Sequence, residues 1–242
     1  MRLLQNSLSR AKTMILDILF PPYCFGCGNE GCFLCFYCRG SVYFVPPTCF
    51  VCYKLAPPRN KITYGRTCPS CQDQSSIYAF LSPFSYNSIV IREIIHGLKY
   101  GRIRSLGIII ADLLAEYFKK YDIKFPDNAI LLPVPIYPLR MRRRGFNQAE
   151  HIANVLSPIL GILVINNVLE KYKYTKPQVE LSREDRLKNI RGSFVVRNPD
   201  KIQGKTILLF DDVKTTGATL EEAGRVLKEA GAEKIWVITL AH

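Results

Sequence analysis

Residues 205–220 read KTILLFDDVKTTGATL, and this stretch decides the fold. Its apolar run, 206–210, has a length typical of a strand that is buried on both faces of a parallel sheet. Two adjacent carboxylates, Asp211 and Asp212, follow the run, and a loop of small residues leads into a helical pattern opened by Thr219. Ligands of such sheets bind beyond the carboxyl ends of the strands, where a loop enters a helix. The stretch therefore predicts an α/β fold with a ligand site at this junction.

The composition of the loop indicates what the ligand carries. The residues of TTGAT are small enough for successive backbone N–H groups to close on a phosphate, and Gly217 tolerates the backbone angles that this requires. The helix that follows adds the positive end of its dipole. The two acids would repel a bare phosphate, but they suit a ligand that also presents hydroxyls or magnesium, such as a ribose 5-phosphate. The alternative is a plain turn with a threonine N-cap.

Eight of the nine cysteines form four C-x-x-C pairs, the spacing of metal knuckles in a reducing compartment. A tight turn between the two thiolates lets both contact one ion, and two knuckles complete a tetrahedron. Sequential pairing gives two structural zinc sites, with ligands Cys24, Cys27, Cys35 and Cys38 in one and Cys49, Cys52, Cys68 and Cys71 in the other. Interleaved pairing stays open, and Cys32 with Cys35 is an alternative second knuckle.

Composition and charge narrow the class of protein. The chain has 242 residues, of which 48% are hydrophobic and 22% charged, as in globular proteins that bury a core. Its net charge of +13 falls to roughly +9 if two zinc tetrathiolates form, and a basic chain favours phosphate-rich ligands, including nucleic acid. No signal peptide is evident and no apolar run approaches the ~20 residues that cross a bilayer, so we expect a cytoplasmic protein without a membrane span.

The order of patterns along the chain divides it into three parts. Residues 1–22 predict an N-terminal helix ended by two prolines, 23–72 a double zinc ribbon, and 77–242 the α/β domain. Within that domain the patterns predict strands and helices in alternation. The strands are 77–85, 129–135, 161–165, 194–196, 206–210 and 234–240, and the helices are 88–100, 106–121, 148–160 (after an Asn147 N-cap) and 220–230.

A basic cluster follows the strand that ends in Pro133, Val134 and Pro135. Its members are Arg140, Arg142, Arg143 and Arg144. The forked donors of guanidinium groups suit a pyrophosphate or a nucleic-acid backbone. A basic surface loop is the alternative.

The string Asp211-Asp212-Val213-x-Thr215-Thr216-Gly217-Ala218-Thr219 resembles the phosphoribosyl pyrophosphate (PRPP) signature of type I phosphoribosyltransferases. The cysteine region and Arg144-Gly145-Phe146-Asn147-Gln148 narrow the resemblance to the ComF family, and it covers nearly the whole chain. The resemblance implies a parallel sheet flanked by helices, with a small N-terminal zinc-ribbon domain. It also favours Cys35 with Cys38 as the second knuckle.

The resemblance assigns roles to residues of this sequence. Asp211 and Asp212 would be the catalytic acids, which hold the ribose hydroxyls directly or through magnesium. Thr215, Thr216, Gly217, Ala218 and Thr219 would bind the 5-phosphate, Pro133, Val134 and Pro135 the pyrophosphate, and Arg144 is the matched arginine. The charged stretch 172–192 would be the family's mobile segment, with Lys176, Gln178 and Arg186 as candidate contacts.

Two functions follow from the resemblance. The first is transfer of a phosphoribosyl group from PRPP to an unknown acceptor, with release of pyrophosphate. The second is a non-catalytic factor that binds PRPP and single-stranded DNA in DNA uptake and natural transformation, with competence proteins as partners. Aromatic residues near the knuckles could stack on bases, or could fill gaps around zinc. They are Tyr23, Phe25, Phe36, Tyr37, Phe50 and Tyr53.

Overall fold

The structure is a computed structural model that describes residues 21–56, 64–174 and 190–242. The predicted N-terminal helix lies almost entirely outside the described residues. The candidate contacts Lys176, Gln178 and Arg186 lie outside them as well.

A four-stranded parallel sheet forms the centre of the domain, in the order β1-β6-β5-β2. Its strands are β1 (Ala79–Leu81), β2 (Ala129–Pro133), β5 (Thr206–Val213) and β6 (Lys234–Ala241). The central strand β5 pairs with β2 on one side and with β6 on the other. The parallel sheet predicted from the sequence is confirmed, and the stretch that opened the prediction is one of its two central strands.

Helices cover both faces of the sheet. They are α1 (Phe36–Gly40), α2 (Ile89–Lys99), α3 (Leu106–Lys120), α4 (Pro138–Arg144), α5 (Gln148–Leu160) and α6 (Ala218–Glu229). Successive residues of β5 point to opposite faces, so Leu208 joins a core with α2, α3 and α5, whereas Leu209 joins a core with α6. This layering brings the carboxyl ends of β2 and β5 to one edge.

A second, two-stranded antiparallel sheet lies beside the first. Its strands are β3 (Leu169–Lys171) and β4 (Phe194–Val196). The sequence patterns predict β4, but they do not predict β3. The strand predicted at 161–165 is wrong in extent, because only Val164 forms a bridge there, with Leu131.

Several boundaries differ from the prediction for local reasons. The strand predicted at 77–85 contracts to β1, two residues before Pro83, which has no N–H to donate. The strand predicted at 129–135 ends at Pro133. In the other direction, β5 continues to Val213, so Asp211 and Asp212 belong to the strand and do not follow it. Helix α6 begins at Ala218, two residues earlier than predicted.

The arginine cluster lies on a helix and not on a surface loop. Pro138 occupies the first turn of α4, where a missing N–H breaks no hydrogen bond, and Gly145 ends the helix with a φ of 83°. Asn147 caps α5 as predicted, since its side chain accepts a hydrogen bond from the Ala149 N–H. Among the described residues no helix is both long and apolar enough to cross a membrane.

Candidate functional site

The cysteines gather into two tetrads, each with its four sulfur atoms within 4.8 Å of one another. The first tetrad contains Cys24, Cys27, Cys35 and Cys38, and the second contains Cys49, Cys52, Cys68 and Cys71. The sequential grouping predicted from the sequence is therefore the one found, and Cys32 belongs to neither group. The short helix α1 places Cys38 one turn after its N-cap Cys35, which explains why this pair forms the knuckle.

The chemistry of the tetrads fits zinc. Backbone N–H groups point at sulfur in both, from Cys35 to Cys24 Sγ at 3.3 Å and from Cys68 to Cys49 Sγ at 3.4 Å. Burial raises the pKa of Cys24, but backbone donors outweigh burial and lower that pKa to about 6. The same balance lowers the pKa of Cys49 to about 7. Thiolates are the ligands that Zn²⁺ binds in structural sites.

Crowding within each tetrad also favours a cation. Hydrogen bonding with Cys35 is the largest cause that raises the pKa of Cys38, to about 12. In the second tetrad, hydrogen bonding with Cys68 is the largest cause that raises the pKa of Cys71 to about 12. Four thiolates at this spacing repel one another unless a metal ion neutralises them. Both tetrads could bind zinc.

The predicted acid pair lies at the carboxyl end of β5. The Asp212 N–H donates to Asp211 Oδ1 at 2.8 Å, which orients the Asp211 carboxyl group. Burial, and then the charge of Asp212, raise the pKa of Asp211 to about 7. Lys99 Nζ lies 2.8 Å from Asp212 Oδ1, and both side chains are largely buried. Burial lowers the pKa of Lys99, but Asp212 outweighs that effect and raises it overall.

The loop after the acids has the backbone that a phosphate site needs. Gly217 adopts a left-handed φ of 80° and is the N-cap of α6, so the loop turns directly into the helix. The Ala218 N–H lies 3.4 Å from Thr216 Oγ1. The Lys214 N–H donates to Ala241 O at 3.0 Å, which ties the start of the loop to β6. The five predicted phosphate-binding residues, Thr215 to Thr219, thus form one strand-to-helix turn beside the acids.

Three further cations lie near the acids. Arg140 and Arg144 are four residues apart on α4 and therefore share one face of it, whereas Arg142 and Arg143 are exposed. Burial, and then the charge of Arg144, lower the pKa of Arg140. Burial, and then the charge of Arg140, lower the pKa of Lys171 to about 8, against the opposing effect of Asp211. Burial and a neighbouring positive charge thus lower the pKa values of Arg140 and Lys171, and an anion between these cations would offset their repulsion.

The predicted pyrophosphate residues lie at the same edge of the sheet. The Val134 N–H donates to Phe210 O at 2.8 Å, and Pro133 and Pro135 have no N–H. The Val134 carbonyl accepts a hydrogen bond from Asn147 Nδ2 at 3.0 Å. These contacts place the segment next to β5 and to the start of α5. A ligand contact there would use groups other than these backbone donors.

Sequence reasoning missed two residues of this edge and left the position of a third open. Lys99 is the last residue of α2, and only the folded chain brings it to Asp212. Lys171 lies on the unpredicted strand β3 and is 7% exposed, and its described contact is with the Phe194 ring, 5.3 Å from Nζ. Arg140 belongs to the predicted cluster, but its position on the inner face required the helix.

Comparison with known proteins identifies the class first. Residues 99–242 match the family model described as the phosphoribosyl transferase domain, which is more than half of the chain. The chain therefore belongs to that domain family. The match includes the acid pair, the loop and the cation-lined edge, and it agrees with the parallel sheet flanked by helices.

The relatives define the particular family. Competence protein F of Haemophilus influenzae is 29% identical over 91% of this chain and 85% of its own length. Competence protein ComFC of Bacillus subtilis is 28% identical over 79% of this chain and 83% of its own. DNA utilization protein YhgH of Salmonella typhimurium is 29% identical over 62% of this chain and 66% of its own. The chain is a member of the ComF family.

Proposed function

We propose that this protein binds PRPP at the edge formed by β5, the loop and α6, and transfers its phosphoribosyl group to an acceptor with release of pyrophosphate. One observation carries the proposal. An acid pair and a phosphate-type turn lie side by side at the end of a central strand, and the largely buried Lys99 and Lys171 lower the pKa of Asp211 by their charge. A ligand with hydroxyls at one end and phosphates at the others matches this arrangement of charge.

The sugar 5-phosphate would occupy the turn from Thr215 to Thr219. Backbone N–H groups and threonine hydroxyls would hold its oxygens, and the N-terminus of α6 would add its dipole. Asp211 and Asp212 would accept hydrogen bonds from the ribose hydroxyls. Asp211 and Asp212 would also hold magnesium when it binds with PRPP, and the ion would supply positive charge against the pyrophosphate.

The leaving group would lie toward α4 and β3. As the acceptor attacks the anomeric carbon, the bond from that carbon to pyrophosphate breaks, and negative charge grows on the departing oxygen. Arg140, Arg144 and Lys171 would stabilise that charge, since their mutual repulsion falls when an anion lies between them. Asp211 and Asp212 would stabilise the positive charge on the ribose ring. Positioning and fixed electrostatics suffice, and no covalent protein intermediate is needed.

Calorimetric titration with PRPP and Mg²⁺ tests the binding step. We expect binding to the native chain and its loss in the double variant Asp211→Asn/Asp212→Asn. Asp127→Asn/Asp200→Asn, which neutralises two exposed acids elsewhere, is the matched control and should bind normally. Because Asp212→Asn removes the partner of buried Lys99, the variant Lys99→Met/Asp212→Asn separates ligand binding from folding. Unchanged PRPP binding in the double variant would remove this ligand assignment.

A screen for transfer follows from the same preparation. Nucleobases and amines would be offered with PRPP, and released pyrophosphate would be measured. A pyrophosphate release that depends on both an acceptor and Asp211 establishes the transferase. PRPP binding without release under any acceptor would leave the fold as a PRPP sensor.

A second candidate function is binding of single-stranded DNA. The names of the relatives refer to competence and to DNA utilization. In addition, basic and aromatic side chains are exposed on α4 and just after α2. Arg142 and Arg143 are exposed, Tyr100 is 69% exposed, and Arg102 Nη2 donates to Arg143 O at 2.7 Å. Aromatic rings beside cations bind single strands by stacking and phosphate contact. DNA-handling proteins would then be partners, and a reducing cytoplasm would suit the thiolates.

The knuckle aromatics divide into two groups. Phe36 and Tyr37 are 86% and 85% exposed and are able to stack on bases. Phe50 is 5% exposed, and Phe25 stacks on Phe33 with ring centroids 5.9 Å apart. Phe25 and Phe50 therefore pack against other parts of the protein, which favours the gap-filling interpretation for these two rings. Affinity for single-stranded DNA that does not change with salt would reject this second function.

A further inference from the structure

The second cysteine tetrad is joined to the phosphate-type loop by direct packing. Phe50, between the ligands Cys49 and Cys52, places its ring against Gly217, so that a Cβ on that glycine would lie 3.0 Å from Phe50 Cζ. Phe50 belongs to the same buried cluster as Ala218, the first residue of α6. The Phe50 ring thus packs directly against the turn between β5 and α6.

A second contact joins the same two parts. Lys214, at the start of the loop, donates a hydrogen bond to the Tyr53 hydroxyl. Its Nζ lies 4.0 Å from the centroid of the Tyr53 ring and 4.8 Å from that of Phe50. Lys214 is 3% exposed, so these aromatic faces replace much of the water that its ammonium would otherwise contact. The contact therefore holds the start of the loop against the knuckle of the second tetrad.

We propose that Phe50 and Tyr53 are positioning residues of the sugar-phosphate site, and that metal at the second tetrad and sugar phosphate at the loop strengthen each other's binding. The inference rests on the proposed function for the identity of the ligand, but not for the contact itself. It makes the second cysteine tetrad a part of the candidate site.

The coupling follows from how the knuckle is held. Tyr53 has a left-handed φ of 58°, and its N–H donates to Cys49 O at 3.1 Å. A segment with so little core of its own keeps this shape only while its sulfurs share an ion. Release of the ion would free Phe50 and Tyr53, and the loop would lose its support. Because linkage is reciprocal, a ligand that orders the loop must also retain the ion.

The first tetrad supplies an internal control, because its described contacts lie elsewhere. Phe25 packs on α2, where a Cβ on Gly97 would lie 2.8 Å from its ring. Arg39 forms an ion pair with Glu116 of α3 at 2.6 Å. Both contacts are with helices on the other face of the sheet from α6. Metal at the first tetrad should therefore have little effect on the loop.

Hydrogen exchange of the loop amides in the zinc-loaded full chain tests the support without any ligand. We expect Phe50→Ala to speed exchange across 214–220 by about tenfold or more, within the usual range of coupling between sites. Phe50→Leu, which restores apolar bulk, should recover most of the protection. Phe36→Ala alters an exposed ring beside the first tetrad and should leave the loop unchanged. Equal loop exchange in the native chain and in Phe50→Ala overturns the inference.

Zinc release tests the reciprocal effect. With a chromogenic chelator, PRPP and Mg²⁺ should slow the release of one of two zinc equivalents by about tenfold and leave the other unchanged. Tyr53→Phe, which keeps the ring but removes the hydroxyl, should weaken this protection. Absence of PRPP binding to the native chain would reject the proposed function, while loop exchange would still decide the role of Phe50. PRPP binding that leaves both release rates unchanged would reject the coupling alone.

Discussion

At the scale of single residues, the candidate site sets two acids against four buried or half-buried cations. Asp212 is neutralised by Lys99, whereas Asp211 shares its surroundings with Asp212 and keeps a raised pKa. The folded chain therefore holds a carboxyl group that changes charge near neutral pH. Such groups are typical of sites that exchange protons or bind cationic and hydroxylated ligands.

The pKa of Asp211 predicts how ligand binding depends on pH. Since the carboxylate is the form that accepts hydrogen bonds or binds Mg²⁺, PRPP affinity should rise as pH rises through about 7. One ionisation centred there predicts a gain of about tenfold between pH 6 and pH 8. Titration of Asp211→Asn over the same range is the control, because the ionisation of PRPP itself contributes equally to both. Parallel pH profiles in the two proteins would contradict this assignment.

The same shift has a consequence for stability. The folded chain retains the Asp211 proton that the unfolded chain has already released, so stability falls as pH rises from about 4, the ordinary pKa of an aspartate, to about 7. Asp211→Asn should reduce that fall, as measured by denaturant unfolding across the same pH range.

Lys171 offers a way to separate function from stability. Its pKa is lowered to about 8, so the folded chain disfavours its charge, and stability should rise as pH increases from about 8 to 10.5. Lys171→Met should keep or raise stability near neutral pH, by on the order of 1–2 kcal/mol, while it weakens binding of PRPP and of pyrophosphate. Lys173→Met, at an exposed residue two positions along, is the control. Loss of stability with normal binding would make Lys171 a structural residue.

At the scale of elements, the turn between β5 and α6 must satisfy two constraints at Gly217. Its φ of 80° disfavours any side chain, and a Cβ there would lie 3.0 Å from both Lys214 Cε and Phe50 Cζ. Gly217→Ala should therefore lower stability by more than the ~1 kcal/mol or so expected for a left-handed alanine alone, and it should weaken PRPP binding. Both effects follow from a displaced loop, and unfolding curves with calorimetry would measure them.

Gly204→Ala is the matched control for that change. Gly204 has a φ of 65° with no atom within 4 Å of its Cβ position, and it precedes β5 at the opposite end of the strand. It should therefore show the backbone effect without the crowding and without any change in ligand affinity. If both variants lose the same stability and both bind PRPP normally, Phe50 does not press on the loop.

The elements also show which features the sequence could predict. Strand β5, helix α5 with its Asn147 cap and the two tetrads follow from local patterns, because apolar period, cap and C-x-x-C spacing are all short-range signals. Strand β3 has three residues, and among the described residues it pairs only with β4. The central residues of the two strands, Glu170 and Val195, are 25 positions apart, so no local period reveals β3. The Lys99–Asp212 pair depends on the packing of α2 against the sheet, which spacing along the chain does not encode.

At the scale of the whole molecule, the basic residues that give the chain its positive charge differ in burial. The net charge is +13, yet the cations differ in role according to where they face. Arg140 and Arg144 are half-buried beside the candidate sugar-phosphate site, whereas Arg142 and Arg143 extend from the same helix into solvent. One short helix therefore carries two half-buried arginines beside the candidate sugar-phosphate site and two exposed arginines that a polyanion could reach.

This division predicts separable losses. Arg142→Ala/Arg143→Ala should reduce the salt dependence of single-stranded DNA affinity, with the slope of log affinity against log salt falling by about 1.4 for two lost phosphate contacts, while PRPP binding persists. Arg140→Ala/Arg144→Ala should weaken PRPP binding, because it removes the cations beside Lys171 and Lys99. Fluorescence anisotropy with a labelled oligonucleotide, repeated at several salt concentrations, measures the first effect.

Lys119→Ala/Lys205→Ala is the control for net charge. Both lysines are exposed, and Lys205 lies just before β5, at the opposite end of the strand from the candidate sugar-phosphate site. The double variant lowers the net charge by the same amount as Arg142→Ala/Arg143→Ala. A DNA surface centred on α4 requires that this control keep the native salt slope. If both double variants lower the slope equally, the attraction belongs to the basic chain in general, and α4 has no special part in it.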